Sequence, residues 1–357
     1  MLKSKRGKWL NMFVVLMSVV LVMSACGNGN SSNQGASPSA EPSQTASNDT
    51  GNGGEATQPK LKVVTSFYPL YYLASEIGGE HVEVVNLIAA GVEPHDWTPK
   101  SKDLSTASNA QLLLYHGAGL ELWIDQFQKG LSKDSKVVTK EMSAGIALIS
   151  GEGHDHDHDG DDHDHDHDSD DHDHDAEEGH SHSHDIDPHT WVSPKSSIIL
   201  AENVKTSLIE TDPVHEDYYN ERFETLKNEL VQLDQKYTEV LEKAPQKNLV
   251  VSHQAFGYLA RDYGLTQTAI MGLSPDAEPR AQDILKIAKF VKENGVKYIF
   301  FEELVSDRLA KTLASEAGVE TMVLNPLEGL TKEQEKSGAT YLTLMESNLQ
   351  NLTKALQ

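Results

Sequence analysis

DPVHEDYYNERFETLKNELVQLDQKYTEVLEK, residues 212–243, is the stretch on which the architecture turns. Its apolar positions Tyr219, Phe223, Leu226, Leu230, Leu233, Tyr237 and Val240 step alternately by four and three residues, which puts them on one face of a helix. About 30 residues of helix run roughly 45 Å, longer than a small domain is wide, so this helix is expected to link two lobes. Both flanks alternate strand and helix patterns. Upstream, LKVVTSF, HVEVVNLI, NAQLLLYHG and SKVVTKEM read as strands, separated by the helical YPLYYLASEIGG, SKDLSTASN and LELWIDQFQKGL, and SIILAENVKTSLIE follows as a further helix. Downstream, NLVVSH, LTQTAIMGL, VKYIFFEE and ETMVL alternate with QAFGYLARDYG, EPRAQDILKIAKFVKENG and SDRLAKTLASEAG, and one last helix is expected over 331–357. Alternation at this spacing predicts an α/β fold of two βα lobes with parallel sheets. The expected boundaries are an N-terminal lobe over 61–211, a linking helix over 212–244 and a C-terminal lobe over 245–357.

Charge is distributed very unevenly. The 357 residues carry a formal net charge of -25, yet 17 acidic residues and 11 of the 17 histidines lie between Gly151 and Asp187, a segment with no Lys or Arg. The remainder is only mildly acidic. An acidic chain offers nothing to neutralise phosphates, which argues against nucleic acid as a partner. The single cysteine excludes a disulfide framework, a cysteine-based zinc finger and a CxxC redox motif.

That cysteine belongs to a targeting signal. Lys3, Lys5, Arg6 and Lys8 precede an apolar run from Leu10 to Met23, then Ser24, Ala25 and Cys26. A basic start, a short apolar run and a small-residue end are the parts of a secretory signal, and the run is short for a membrane span. The cysteine after the small pair resembles the lipobox of bacterial lipoproteins. That resemblance implies a signal peptide over 1–25, lipidation of Cys26 and an extracytoplasmic protein anchored to the outer face of the cell membrane. Residues 26–60, rich in Ser, Asn, Gly, Thr and Pro, read as a flexible tether.

Six histidines lie outside the acidic run. His81 and His215 read as surface residues, and His116, after a buried strand, as a satisfied loop residue. His95 in VEPHDW, His189 in DPHTW and His253 in VVSHQAF each follow a strand or a proline-bounded loop, where an open parallel sheet presents its ligand crevice. Two of the three share an order of acid, proline, histidine and nearby tryptophan. Proline fixes the backbone, tryptophan can wall off water, and a carboxylate or carbonyl nearby can accept the second N–H of an imidazole that binds metal.

VEPHDWTP, YHGAGLELW, DPHTWVSP, VVSHQAFGYLARDYGL, LSPDAEP and LNPLEGLT together resemble the zinc-specific solute-binding proteins of bacterial ABC importers, the cluster A-I lipoproteins. The likeness runs from about Lys62 to the C-terminus. It implies a metal site in the cleft between lobes, with ligands at His95, His189, His253 and Glu328. Three imidazoles and one carboxylate suit Zn²⁺, carried as cargo rather than as a resident cofactor. The manganese branch of the family has a carboxylate at the third histidine, so His253 decides between the two metals. At His116 relatives more often carry a small polar residue, which touches only a cleft-rim detail. Glu93, Glu302 and Glu303 are rival oxygen donors, read as structural or as rim electrostatics. The run GEGHDHDHDGDDHDHDHDSDDHDHDAEEGHSHSHD mixes imidazole and carboxylate densely enough for weak, exchangeable metal capture near the cleft mouth, or is a solvated acidic linker.

Three functions compete on this reading. One is a monomeric zinc receptor that delivers its ion to an ABC permease in the membrane. A second is a zinc hydrolase, against which stand the absence of HExxH and of a nucleophile elbow, so the chain is expected not to be an enzyme. The third is a surface adhesin or metal buffer in which the His-rich run is the active part.

Overall fold

The computed structural model describes residues 59–150, 186–275 and 279–357. The signal and Cys26, most of the tether, the His/Asp-rich run and the DAE of LSPDAEP lie outside the described residues. Among the described residues no helix is long and apolar enough to cross a membrane.

Two four-stranded parallel sheets form the fold. The first contains β1 (Leu61–Thr65), β2 (Val82–Asn86), β3 (Leu112–Tyr115) and β4 (Val138–Glu141) in the order β2-β1-β3-β4. Its connections carry α1 (Tyr68–Gly78), α2 (Ser101–Ser108) and α3 (Ile124–Gly130). β1 and β3 are in register at Val63↔Leu112, and apart from the exposed Lys62 and the partly buried Tyr115 both strands are buried because helices cover the sheet. α4 (Pro194–Thr211) and α5 (Glu216–Glu242) then lead to the second sheet.

That sheet contains β7 (Asn248–Val251), β8 (Thr266–Ala269), β9 (Tyr298–Phe301) and β10 (Glu320–Val323) in the order β10-β9-β7-β8. Its helices are α6 (Gly257–Tyr263), α7 (Ala281–Glu293) and α8 (Arg308–Ala317). In each sheet the strand order reverses beside the first strand, so crevices open at the carboxyl ends of β1 and β3 and of β7 and β9. Ligands of open parallel sheets bind at such points.

α5 is 27 residues long, about 40 Å at the helical rise. It starts four residues later than the sequence pattern suggested, because Pro213–His215 forms a tight 3₁₀ turn ahead of it. Its buried face runs Tyr219, Phe223, Leu226, Leu230, Leu233, Tyr237 and ends on Leu241; Val240 is only half-buried. The stripe keeps stepping by four at its end rather than returning by three.

The final helix expected over 331–357 is two, α9 (Lys332–Ser337) and α10 (Tyr341–Ala355). Gly338, at φ 74°, ends α9 in the left-handed region that glycine reaches without steric cost. Thr340 then opens α10 by accepting a hydrogen bond from the Thr343 N–H at 3.2 Å. A further pair was not anticipated: β5 (Ile149–Ser150) and β6 (Ile186–Asp187) are antiparallel, Ile149 opposite Asp187, on either side of the His/Asp-rich run.

Candidate metal centre

Local structure aims four side chains at one point. β7 ends at Val251, and His253 lies two residues on, at the crevice of the second sheet. β9 ends at Phe301, and Glu302 follows directly. His189 lies two residues beyond β6, His95 in the loop between β2 and α2, and Glu328 in the loop after β10. His189 and His253 are fully buried and Glu328 is 3 % exposed.

The Nε2 atoms of His95 and His189 are 3.2 Å apart, and those of His253 and His189 3.3 Å. Oε1 of Glu328 is 3.5, 3.1 and 3.4 Å from the Nε2 atoms of His95, His189 and His253. A tetrahedral set with bonds of ~2.0–2.2 Å has ligand-to-ligand edges of about 3.3–3.6 Å. The cluster is close to that size without adjustment, and all four ligand atoms lie within 4.8 Å of one another.

The hydrogen bonds fix which nitrogens face inward. His189 Nδ1 pairs with Asp187 Oδ1 at 2.8 Å, and His253 Nδ1 with Glu302 Oε1 at 2.6 Å. Each ring thereby gives its Nδ1 hydrogen to a carboxylate and turns Nε2 toward Glu328, the arrangement that orients metal-binding imidazoles. Oε1 of Glu328 is shut off from water and receives no well-aligned hydrogen bond. A carboxylate oxygen and three inward-facing imidazole nitrogens in a dry space need a cation, or protons, between them.

Charge follows the same logic. Burial alone would lower the proton affinity of His253, but the charges of Glu302 and Glu328 and hydrogen bonds to both outweigh it and raise the ring to about 10. His189 is raised too, Asp187 and Glu328 overcoming its burial. Burial would raise Glu328, yet the His95 charge and the hydrogen bonds to the rings hold its carboxyl well below the usual range. Glu93 is pushed up to about 8, first by burial and then by the Glu328 charge beside it.

The rival donors have other roles. Glu302 orients His253 and also accepts from the Ser252 hydroxyl. Glu303 accepts from Asn325 Nδ2 at 2.8 Å and Gln334 Nε2 at 2.6 Å. Asn325 in turn accepts from the Leu327 N–H at 2.7 Å and holds Leu327 at φ 59°, which turns the chain so that Glu328 points inward. Glu93 differs from its counterpart Asp187: it accepts the Asp96 backbone N–H at 3.0 Å and does not orient its histidine ring.

His116 is no rim residue. It is fully buried behind His189, with Nε2 3.3 Å from the Thr190 hydroxyl and its ring edge-on to Trp191 at 5.0 Å. Burial, reinforced by the charge of His189, pushes it down to about 3, so it is neutral. His81 and His215 are half-buried rather than plain surface residues; their rings stack at 3.8 Å, and His215 donates to Asp212 at 2.7 Å. Trp191 does more than wall off water: its indole N–H donates to the Pro326 carbonyl at 2.7 Å, tying the His189 segment to the Glu328 loop.

Two parallel sheets whose crevices share one buried, four-donor cluster make a two-lobed solute-binding protein. The chain belongs to the ZnuA family, zinc-uptake complex component A, periplasmic, whose model matches residues 63–355. It is similar to the zinc-binding protein AdcA of Streptococcus pyogenes serotype M18, with 43% identity over 293 residues, 82% of this chain and 55% of that protein. The chain thus spans about half the length of its AdcA relatives. Along nearly all of both chains, 98% of each, it is 37% identical to the high-affinity zinc uptake system protein ZnuA of Bacillus subtilis. The crystal structure of the Zn(II)-bound ZnuA-like domain of Streptococcus pneumoniae AdcA is similar at 36% identity and a TM-score of 0.67, over 83% of this chain and 99% of that one.

Proposed function

We propose that the protein is an extracytoplasmic, monomeric receptor that captures Zn²⁺ with His95, His189, His253 and Glu328 and delivers it to an ABC-type permease. One observation carries this reading: four donors converge at tetrahedral spacing in a site with its own orienting carboxylates. The imidazole of His253 favours zinc over manganese, which prefers oxygen donors. Four side-chain ligands leave no open position for an activated water, so the reading includes no catalytic step. In this scheme 61–211 and 245–357 are the two lobes, 212–244 joins them, and 151–187 collects zinc weakly ahead of the cleft.

The test is a zinc competition titration of the full chain and of four alanine variants. One tight site should stand apart from weaker sites, and each of His95→Ala, His189→Ala, His253→Ala and Glu328→Ala should weaken it by more than the ~10–100-fold typical of losing an orienting partner. A tight site that survives His189→Ala would end this assignment.

Anchoring has its own test. Two or more acyl chains hold a protein on a membrane where one gives only marginal binding. Cys26→Ala is therefore expected to leave the protein folded and move it from the membrane fraction to the soluble one. Retention in the membrane fraction would instead mean an uncleaved apolar anchor.

A further inference from the structure

Tyr258, at the start of α6, shares no hydrogen bond with the four metal-facing side chains, yet its hydroxyl is buried at a junction that leads to one of them. It donates to the Asp187 carbonyl at 2.7 Å and accepts from the Ile149 N–H at 3.1 Å. Those two residues face each other across the β5–β6 pair, so one hydroxyl closes that pair from the side. Asp187 holds His189 twice, through the ring at 2.8 Å and through the backbone N–H at 2.9 Å.

The neighbouring residues press on the same junction. A side chain at Gly257 would collide with Asp187 Oδ2, which explains why α6 opens on glycine there. Arg261 lies over the Tyr258 ring at 4.9 Å and donates to the Ala147 carbonyl at 2.7 Å, just ahead of β5. Asp187 and Tyr258 are both fully buried, and a two-residue strand pair has little ladder of its own to fix it.

From this geometry we infer that Tyr258 is a positioning residue for metal binding, acting through Asp187 to aim the His189 imidazole. The inference rests on the proposed ligand role of His189. Without the hydroxyl, the Asp187 backbone loses its donor and the carboxylate is free to shift. The His189 Nε2 then departs from its 3.1–3.3 Å separations to Glu328 and His253.

The experiment is a double-mutant cycle on the full chain, reading tight-site zinc affinity by chelator competition and the d–d spectrum of the tight-site cobalt complex. Tyr258→Phe is expected to weaken zinc by about three- to tenfold, less than the ~10–100-fold for a directly bonded partner such as Asp187→Asn. The cobalt bands should shift in both variants, a signature that loss of stability alone would not produce. The double variant should bind no more weakly than Asp187→Asn alone, since both act along one line.

Gly257→Ala presses on the Asp187 carboxylate from the other side and should also weaken zinc; it serves as the test if Tyr258→Phe folds poorly. Unchanged affinity and spectrum in the hydroxyl-less variant, or additive losses in the double variant, would overturn the role of Tyr258. Loss of the tight site in His189→Ala alongside either result would leave the proposed site standing. A tight site that persists in His189→Ala would remove the site assignment itself.

Discussion

Replacing His253 by glutamate is expected to move the ratio of zinc to manganese dissociation constants toward manganese by on the order of tenfold, with zinc still the tighter ion. The change exchanges a nitrogen for an oxygen donor and adds a negative charge, and both favour the harder metal. The surroundings set a second effect. Glu302 lies 2.6 Å from His253 Nδ1, and among the described residues its other side-chain donor is the Ser252 hydroxyl. A carboxylate at 253 would therefore sit between Glu302 and Glu328, and repulsion among three buried acids should weaken both metals in the single variant. Adding Glu302→Gln relieves that repulsion, so the double variant should regain affinity while keeping the shifted ratio. Competition titrations with both metals, with a metal-free melt as the folding control, measure all of this. An unchanged ratio in the single variant would mean that residue 253 does not contact the ion.

What the sequence made legible was whatever has a short period or a local grammar. The face of α5 could be read from Tyr219 to Tyr237 because helical spacing repeats within a few residues. The strand end followed by His253 could be read as a crevice because parallel sheets bind at their carboxyl ends. The acid–proline–histidine order signals an oriented imidazole without naming its acceptor: at Asp187 the acid takes the His189 ring, while at Glu93 the same order serves the backbone instead.

Contacts across long separations left no such trace. Trp191 meets Pro326 across 135 positions and Tyr258 meets Asp187 across 71, and neither residue type announces its partner. His116 looked like a loop residue because nothing local shows that Trp191, Phe67 and Thr190 close around it. The break between α9 and α10 was missed because a lone glycine weakens a helix pattern without marking which side of it the chain turns.

The metal-free and metal-bound proteins should respond to pH in opposite directions. Free histidine titrates near ~6.5, while His253 in the folded, metal-free site is raised to about 10. A folded value above the unfolded one means that the proton stabilises the folded chain. That stability is fully present below about pH 6.5 and is lost as pH rises through about 10. Glu93, raised to about 8, acts in the same direction at lower pH, since burial favours its protonated form. The melting temperature of the metal-free protein should therefore fall between pH 7 and pH 10.

Zinc must displace the proton from His253, because a protonated ring has no lone pair to offer. Between pH 7 and pH 9 each ion captured at the tight site should release at least the one proton of this ring, so affinity should rise by at least about tenfold per pH unit. The weak sites of the acidic run need only ordinary imidazoles, so their affinity should level off above ~6.5 while that of the tight site goes on rising. Calorimetry in buffers of different ionisation enthalpy counts the protons directly, and competition titration gives the slope. A tight-site affinity that is flat from pH 7 to 9 would show that His253 is already neutral in the metal-free protein. In that case Glu328 would be balanced by another ring, and His189, also raised and bonded to Asp187, would be the next to examine.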